Sequence, residues 1–172
     1  TGNELSGNIA TSERPVGDGF ALTQAVGNTL RSNVTIGGGV GYRLDSGARL
    51  NDLRSNEARN PRWVGVWIQT SGSDDNSLRD NTVIGGEFGY FLADVTGTDL
   101  RRNRAEGATL VGFYVEAGSA SDNTFLDNTA SDTGGVGFED WTSGLGTAGT
   151  ANTYNNNVCD GSTPGSNPAG LC

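Results

Sequence analysis

Apolar residues in this chain come in short alternating runs, never in a long amphipathic sweep. The segment Val40-Gly41-Tyr42-Arg43-Leu44-Asp45 sets the pattern, and Val64-Gly65-Val66-Trp67-Ile68-Gln69 repeats it. It returns at Phe88-Gly89-Tyr90-Phe91-Leu92-Ala93 and at Val111-Gly112-Phe113-Tyr114-Val115-Glu116. A period of two over such lengths predicts strands. Strict alternation puts Val40, Tyr42 and Leu44 inside, and likewise Val64, Val66 and Ile68. By the same rule Phe88, Tyr90 and Leu92 are inward, as are Val111, Phe113 and Val115. No stretch sustains a 3.6-residue period, which argues against a helical repeat.

Between these strands a second motif recurs, N-x-[LFY]-x-x-N. It stands at Asn3-Leu5-Asn8, Asn28-Leu30-Asn33, Asn51-Leu53-Asn56, Asn76-Leu78-Asn81, Asn123-Phe125-Asn128 and Asn152-Tyr154-Asn157. A seventh copy, Thr98-Leu100-Asn103, has Thr in place of the first Asn. Successive copies lie 22 to 29 residues apart. That period suits one coil of three short strands and three turns. A single coil cannot bury its own apolar side, so coils stack about 4.8 Å apart around a shared core. The motif's Leu and Phe residues form one inward column. The Asn residues are expected at the bends, in left-handed geometry, bonding to the next coil through their amides. The fold class is all-β: a single-stranded right-handed parallel β-helix of about seven coils over residues 1–157, with a C-terminal cap at 158–172.

Composition alone would suggest something looser. Only 34% of the 172 residues are hydrophobic and 28 are Gly. The repeat decides against disorder. The net charge is −9 and all 11 basic residues are Arg. Nucleic acid, which demands clustered positive charge, is not an expected partner. The chain has no His and no Met. That removes Ser-His-Asp and Cys-His catalysis, and no zinc or copper site of the usual kind is expected. No apolar run is long enough to span a bilayer, so no membrane partner is expected. No signal segment is present, and the sequence reads as a mature or trimmed chain. Cys159 and Cys172 flank the turn-rich stretch DGSTPGSNPAGL. A disulfide is expected there, which implies an oxidising compartment, extracellular or periplasmic. The rival, a two-Cys metal site, lacks further soft ligands.

Over residues 1–157 the repeats resemble the pectate-lyase-like, NosD-type right-handed β-helix superfamily. The ending from Asn157 to Cys172 resembles the C-terminal cap of secreted bacterial β-helix proteins. The resemblance implies fold and compartment. It implies little about activity, because that superfamily holds lyases, hydrolases, epimerases, binding modules and structural proteins. The first coil begins at Thr1 without a capping helix, so a preceding segment or a partner covering that end is expected.

The outward positions of the Gly-containing strands are the candidate site. Alternation turns Gly19, Gly41, Gly65, Gly89, Gly112 and Gly137 outward, a column without side chains and hence a shallow trough. Trp67, Phe91 and Tyr114 would form one wall, Trp63 and Leu110 the other. Arg43, Asp45, Gln69, Glu116 and Glu139 supply polar groups. Aromatic walls with polar ends suit sugar rings, which makes a carbohydrate the expected ligand. The rival reading has the aromatics stacking on each other or lying under a further segment. Enzymes of the resembling superfamily use Tyr, Arg and carboxylates, so Arg43, Tyr114, Glu116 and Glu139 are the weak catalytic candidates. The missing His counts against that chemistry. Glu116 and Glu139 fit an acid–base pair or a solvated edge. The column Arg31, Arg54, Arg79 and Arg101, with Asp52 and Asp99, reads as an anion ladder or as a salt-bridged solvent face. Asp74-Asp75-Asn76 reads as a calcium turn or a plain acidic turn, so calcium is the one cofactor left open. Two other functions stay open: a non-catalytic structural module of a larger chain, and a cofactor-free cyclase for a hydrophobic natural product.

Overall fold

A computed structural model describes all of residues 1–172. The backbone winds into a parallel β-solenoid of three seven-stranded sheets, and each strand's neighbour comes from the next coil. Sheet 1 carries the three-residue strands of the N-x-L motif, from Glu4–Ser6 to Thr153–Asn155. Sheet 2 follows directly in each coil, from Ile9–Ser12 to Val158–Asp160. Sheet 3 holds the longer Gly-containing strands: Asp18–Thr23, Val40–Asp45, Val64–Gln69, Phe88–Ala93, Val111–Val115, Val136–Asp140 and the short Ser166–Asn167. Residues 158–172 thus continue the winding through two more strands before the chain ends, and Cys159 and Cys172 are joined in a disulfide.

Register is kept from coil to coil. Leu5, Leu30, Leu53, Leu78, Leu100, Phe125 and Tyr154 form one column. From Leu30 onward these side chains are buried in a single core. The inward aromatics of sheet 3 stack face to face: Tyr90 on Phe113 at 4.6 Å and Phe113 on Phe138 at 4.5 Å between ring centroids. The Tyr42 hydroxyl donates to the Asn33 carbonyl at 2.7 Å and that of Tyr90 to the Asn81 carbonyl at 2.9 Å, so neither buried phenol is orphaned.

Two asparagine ladders bind the coils along the axis. Between successive Asn, the side-chain oxygen of one accepts both the backbone N–H and the side-chain amide of the Asn one coil earlier, as Asn56 does from Asn33 at 3.0 and 3.1 Å. The expected left-handed Asn is not found. The positive φ falls on the residue before it: Ser32, Ser55, Asp80, Arg102 and Asp127, each between 51° and 57°. The reason is geometric. The left-handed residue makes the bend, and the Asn after it is thereby turned inward, where its amide reaches the next coil. Where Thr98 replaces Asn the first ladder breaks, and the Asn76 amide turns to the carbonyls of Ser73 and Ala48.

The glycine column also departs from strict alternation. A Cβ built on Gly65 would lie 2.2 Å from Val83 Cγ1, and one on Gly41 would lie 2.7 Å from Ala58 Cβ. Val83 and Ala58 belong to the inward column of sheet 2, Thr35-Ala58-Val83-Ala105-Ala130. The glycines therefore face the core, where sheets 2 and 3 converge too closely for any side chain. They form no trough. The Gly and the residue after it both point inward, so the residue before the Gly falls outside the central core cluster, although Val40, Val64 and Val111 stay buried. Phe88, expected inside, instead packs its ring against the outward rings of Phe91 and Tyr114, at 5.2 and 5.3 Å.

Candidate functional site

The outer face of sheet 3 thus carries two outward columns before its third begins. One runs Asp18, Val40, Val64, Phe88, Val111 and Val136; the other runs Ala21, Arg43, Trp67, Phe91, Tyr114 and Glu139. Parallel pairing brings like positions of successive coils side by side. Aromatic rings consequently meet across coils: Trp67 and Phe91 at 5.8 Å, Phe91 and Tyr114 at 4.7 Å, tilted in both cases. Both geometries are favourable for aromatic pairs.

Toward the C-terminal end this face opens into a groove of about 450 Å³ spanning three coils. Phe88, Phe91 and Tyr114 make one wall. Val111 and Val136 lie in it, Leu110 and Trp141 rim it, and Glu139 is its one charged lining residue. Leu110 is 48% exposed and Trp141 55%, so the groove is apolar yet open to water. Trp141 is held by its neighbours. Buried Asp140 accepts from the backbone N–H of Thr142 at 2.8 Å, from the Asn152 amide at 2.9 Å and from the Tyr154 hydroxyl at 2.8 Å. The Trp141 backbone N–H donates to the Val115 carbonyl at 3.1 Å.

Of the residues expected at the site, Phe91, Tyr114 and Glu139 come together in the groove, with Leu110 on its rim. Trp63, Trp67, Gln69, Arg43 and Asp45 do not line it. Trp63 lies instead over Gly39, whose hypothetical Cβ would be 3.2 Å from the indole ring. Arg43 is clamped between two carboxylates, Asp18 at 2.8 Å and Asp45 at 3.4 Å. Glu116 is exposed beyond the end of its strand. Strict alternation places Phe88 and Val111 in the core, which hides them as groove residues. The signal was present in the glycines themselves, since Gly inside a strand marks a bulge or a close backbone approach.

The chemistry of the catalytic candidates is now constrained. Burial holds the Tyr114 hydroxyl above its ordinary range, with the nearby charges of Glu116 and Glu139 adding to the effect. A phenol held neutral is a poor general base. The Arg43 guanidinium is ion-paired with Asp18 and Asp45 and does not line the groove. The arginine ladder of sheet 1 is a salt-bridged surface: Arg54 pairs with Asp52, and both Arg101, at 2.7 Å, and Arg79, at 3.7 Å, pair with Asp99. In the acidic turn, Asp74 accepts the Thr96 N–H at 2.8 Å while Asn76 serves the backbone of its own and the previous coil.

A family model described as periplasmic copper-binding protein (NosD) matches residues 1–167. Comparison with curated proteins and with solved structures gives no match. Copper does not fit the residues present. Copper sites draw on imidazole, thioether and thiolate ligands. This chain has no His and no Met, both of its Cys are in the disulfide, and no three acidic or sulfur ligands converge. No step is therefore assigned to copper here. The family's compartment does fit, because a closed disulfide accords with the periplasm or the extracellular space. The repeat, the solenoid and the match over nearly the whole chain together identify this protein as a member of the NosD family of periplasmic β-helix proteins.

Proposed function

We propose that the groove on sheet 3 binds a carbohydrate chain. The observation that carries this reading is the outward aromatic row Trp67-Phe91-Tyr114, which runs into an open apolar groove rimmed by Trp141. Aromatic faces stack against the C–H faces of sugar rings, while a few polar groups take up the hydroxyls. An open groove crossing three coils accepts an extended chain more readily than a small apolar molecule, which would need enclosure. This observation favours a glycan over the hydrophobic substrate of a cyclase. The role is binding: Glu139 stands alone in the groove, and Tyr114 is held neutral.

The test is a soluble oligosaccharide panel measured by titration calorimetry. Trp141→Ala should weaken the best ligand about tenfold, the worth of one aromatic contact, with the melting temperature preserved. Unchanged affinity in Trp141→Ala would place the ligand elsewhere.

A further inference from the structure

Arginine is segregated on this solenoid, and the segregation limits which sugar the groove takes. Arg31, Arg54, Arg79 and Arg101 stand on sheet 1, and Arg59 and Arg104 on sheet 2. The strands of sheet 3 carry a single Arg, Arg43, and it is held by Asp18 and Asp45. No basic residue lines the groove. Glu139 does, among Phe91, Tyr114, Val136 and Trp141, and it forms no ion pair in the protein. Its one hydrogen bond is accepted from the Asn167 side-chain amide at 3.3 Å. Glu116 lies close enough to act with Glu139 on the Tyr114 hydroxyl, and exposed Glu87 immediately precedes the strand Phe88–Ala93.

From an unpaired carboxylate set in an aromatic groove on an acidic face, we infer that the ligand is a glycan bearing protonated amino groups, a glucosamine-type polymer rather than a uronate. This rests on the carbohydrate reading above and deepens it. An ammonium group would pair with Glu139 and gain from the faces of Tyr114 and Trp141, because a cation over an aromatic ring is attracted by its quadrupole. A carboxylated sugar would meet like charge there with no arginine to receive it. The partly dry walls strengthen both effects relative to open water.

The experiment compares three soluble oligomers of equal length in mildly acidic buffer, where a sugar amine carries its proton: glucosamine, N-acetylglucosamine and galacturonate. The glucosamine oligomer should bind about tenfold more tightly than its N-acetylated counterpart, and the preference should shrink as salt is raised. Galacturonate should bind most weakly. The isosteric Glu139→Gln should remove the preference and leave the N-acetylated oligomer unaffected. Equal binding of glucosamine and N-acetylglucosamine oligomers, or tighter binding of galacturonate, would overturn the inference while leaving carbohydrate binding in place. Failure of these three and of the rest of the oligosaccharide panel to bind would overturn both.

Discussion

At the scale of single residues, the asparagine ladder shows what one side-chain atom contributes. In five coils the buried Asn of the first ladder both accepts and donates, so every amide is satisfied inside the core. Thr98 is the exception. Its hydroxyl is buried without a partner, and it offers Asn76 no acceptor of the kind that Asn76 offers Asn51 at 3.0 Å. Thr98→Asn should therefore stabilise the protein by about 1 kcal/mol, the net worth of a buried hydrogen bond, seen as a higher midpoint in denaturant. A lower midpoint would mean that the coil has adapted to the smaller Thr. The irregularity was legible in the sequence as a near-copy of the motif. The location of the left-handed residue was not, because the Asn's own tolerance for that geometry suggested the wrong position.

Individual strands teach a different lesson. The middle strands of sheets 1 and 2 follow a simple pattern, since each three-residue strand buries only its central side chain: Leu53 in Asp52–Arg54 and Ala58 in Glu57–Arg59. The strands of sheet 3 do not alternate cleanly. The small inward residues of sheet 2 draw the two sheets together, and only glycine fits between them. Alternation alone puts Phe88 in the core, although it lies with Phe91 and Tyr114 on the surface that forms the groove. Strand-level alternation could not reveal this, because the constraint comes from a neighbouring sheet. Gly65→Ala discriminates between the two arrangements. A glycine facing solvent would accept a methyl group within about 0.5 kcal/mol; a glycine packed 2.2 Å from the Val83 methyl position should lose about 2–3 kcal/mol, measured by chemical denaturation.

At the scale of the whole molecule, coil number, axial register and terminal disulfide were all legible, because repetition writes each of them several times. The site was legible only in part. Its aromatic row follows directly from aligned repeats, whereas its apolar floor and its C-terminal position depend on how two sheets meet and on the hydrogen bonds that Asp140 collects. The stacked interior also has a signature in alkali. Burial raises the pKa of Tyr42, Tyr90 and Tyr154 above the ordinary phenol value of 10.0, with Asp140 adding to the effect at Tyr154. Their folded values exceed those of the unfolded chain, so their contribution is complete below pH 10 and is lost as the pH rises beyond it. Stability should be flat through neutral pH and fall steeply above about pH 10. Titration of these tyrosines near pH 10 by ultraviolet absorbance without loss of structure would show that they are not sealed in the core.

The most direct measurement of the groove's role is a chemical-shift map of the isotopically labelled protein titrated with soluble glucosamine oligomers. Binding on sheet 3 predicts shifts concentrated at Phe88, Phe91, Leu110, Tyr114, Glu139 and Trp141, the residues that line the groove. Shifts along the arginine face of sheet 1, or no shifts with glucosamine or any other oligosaccharide of the panel, would contradict it.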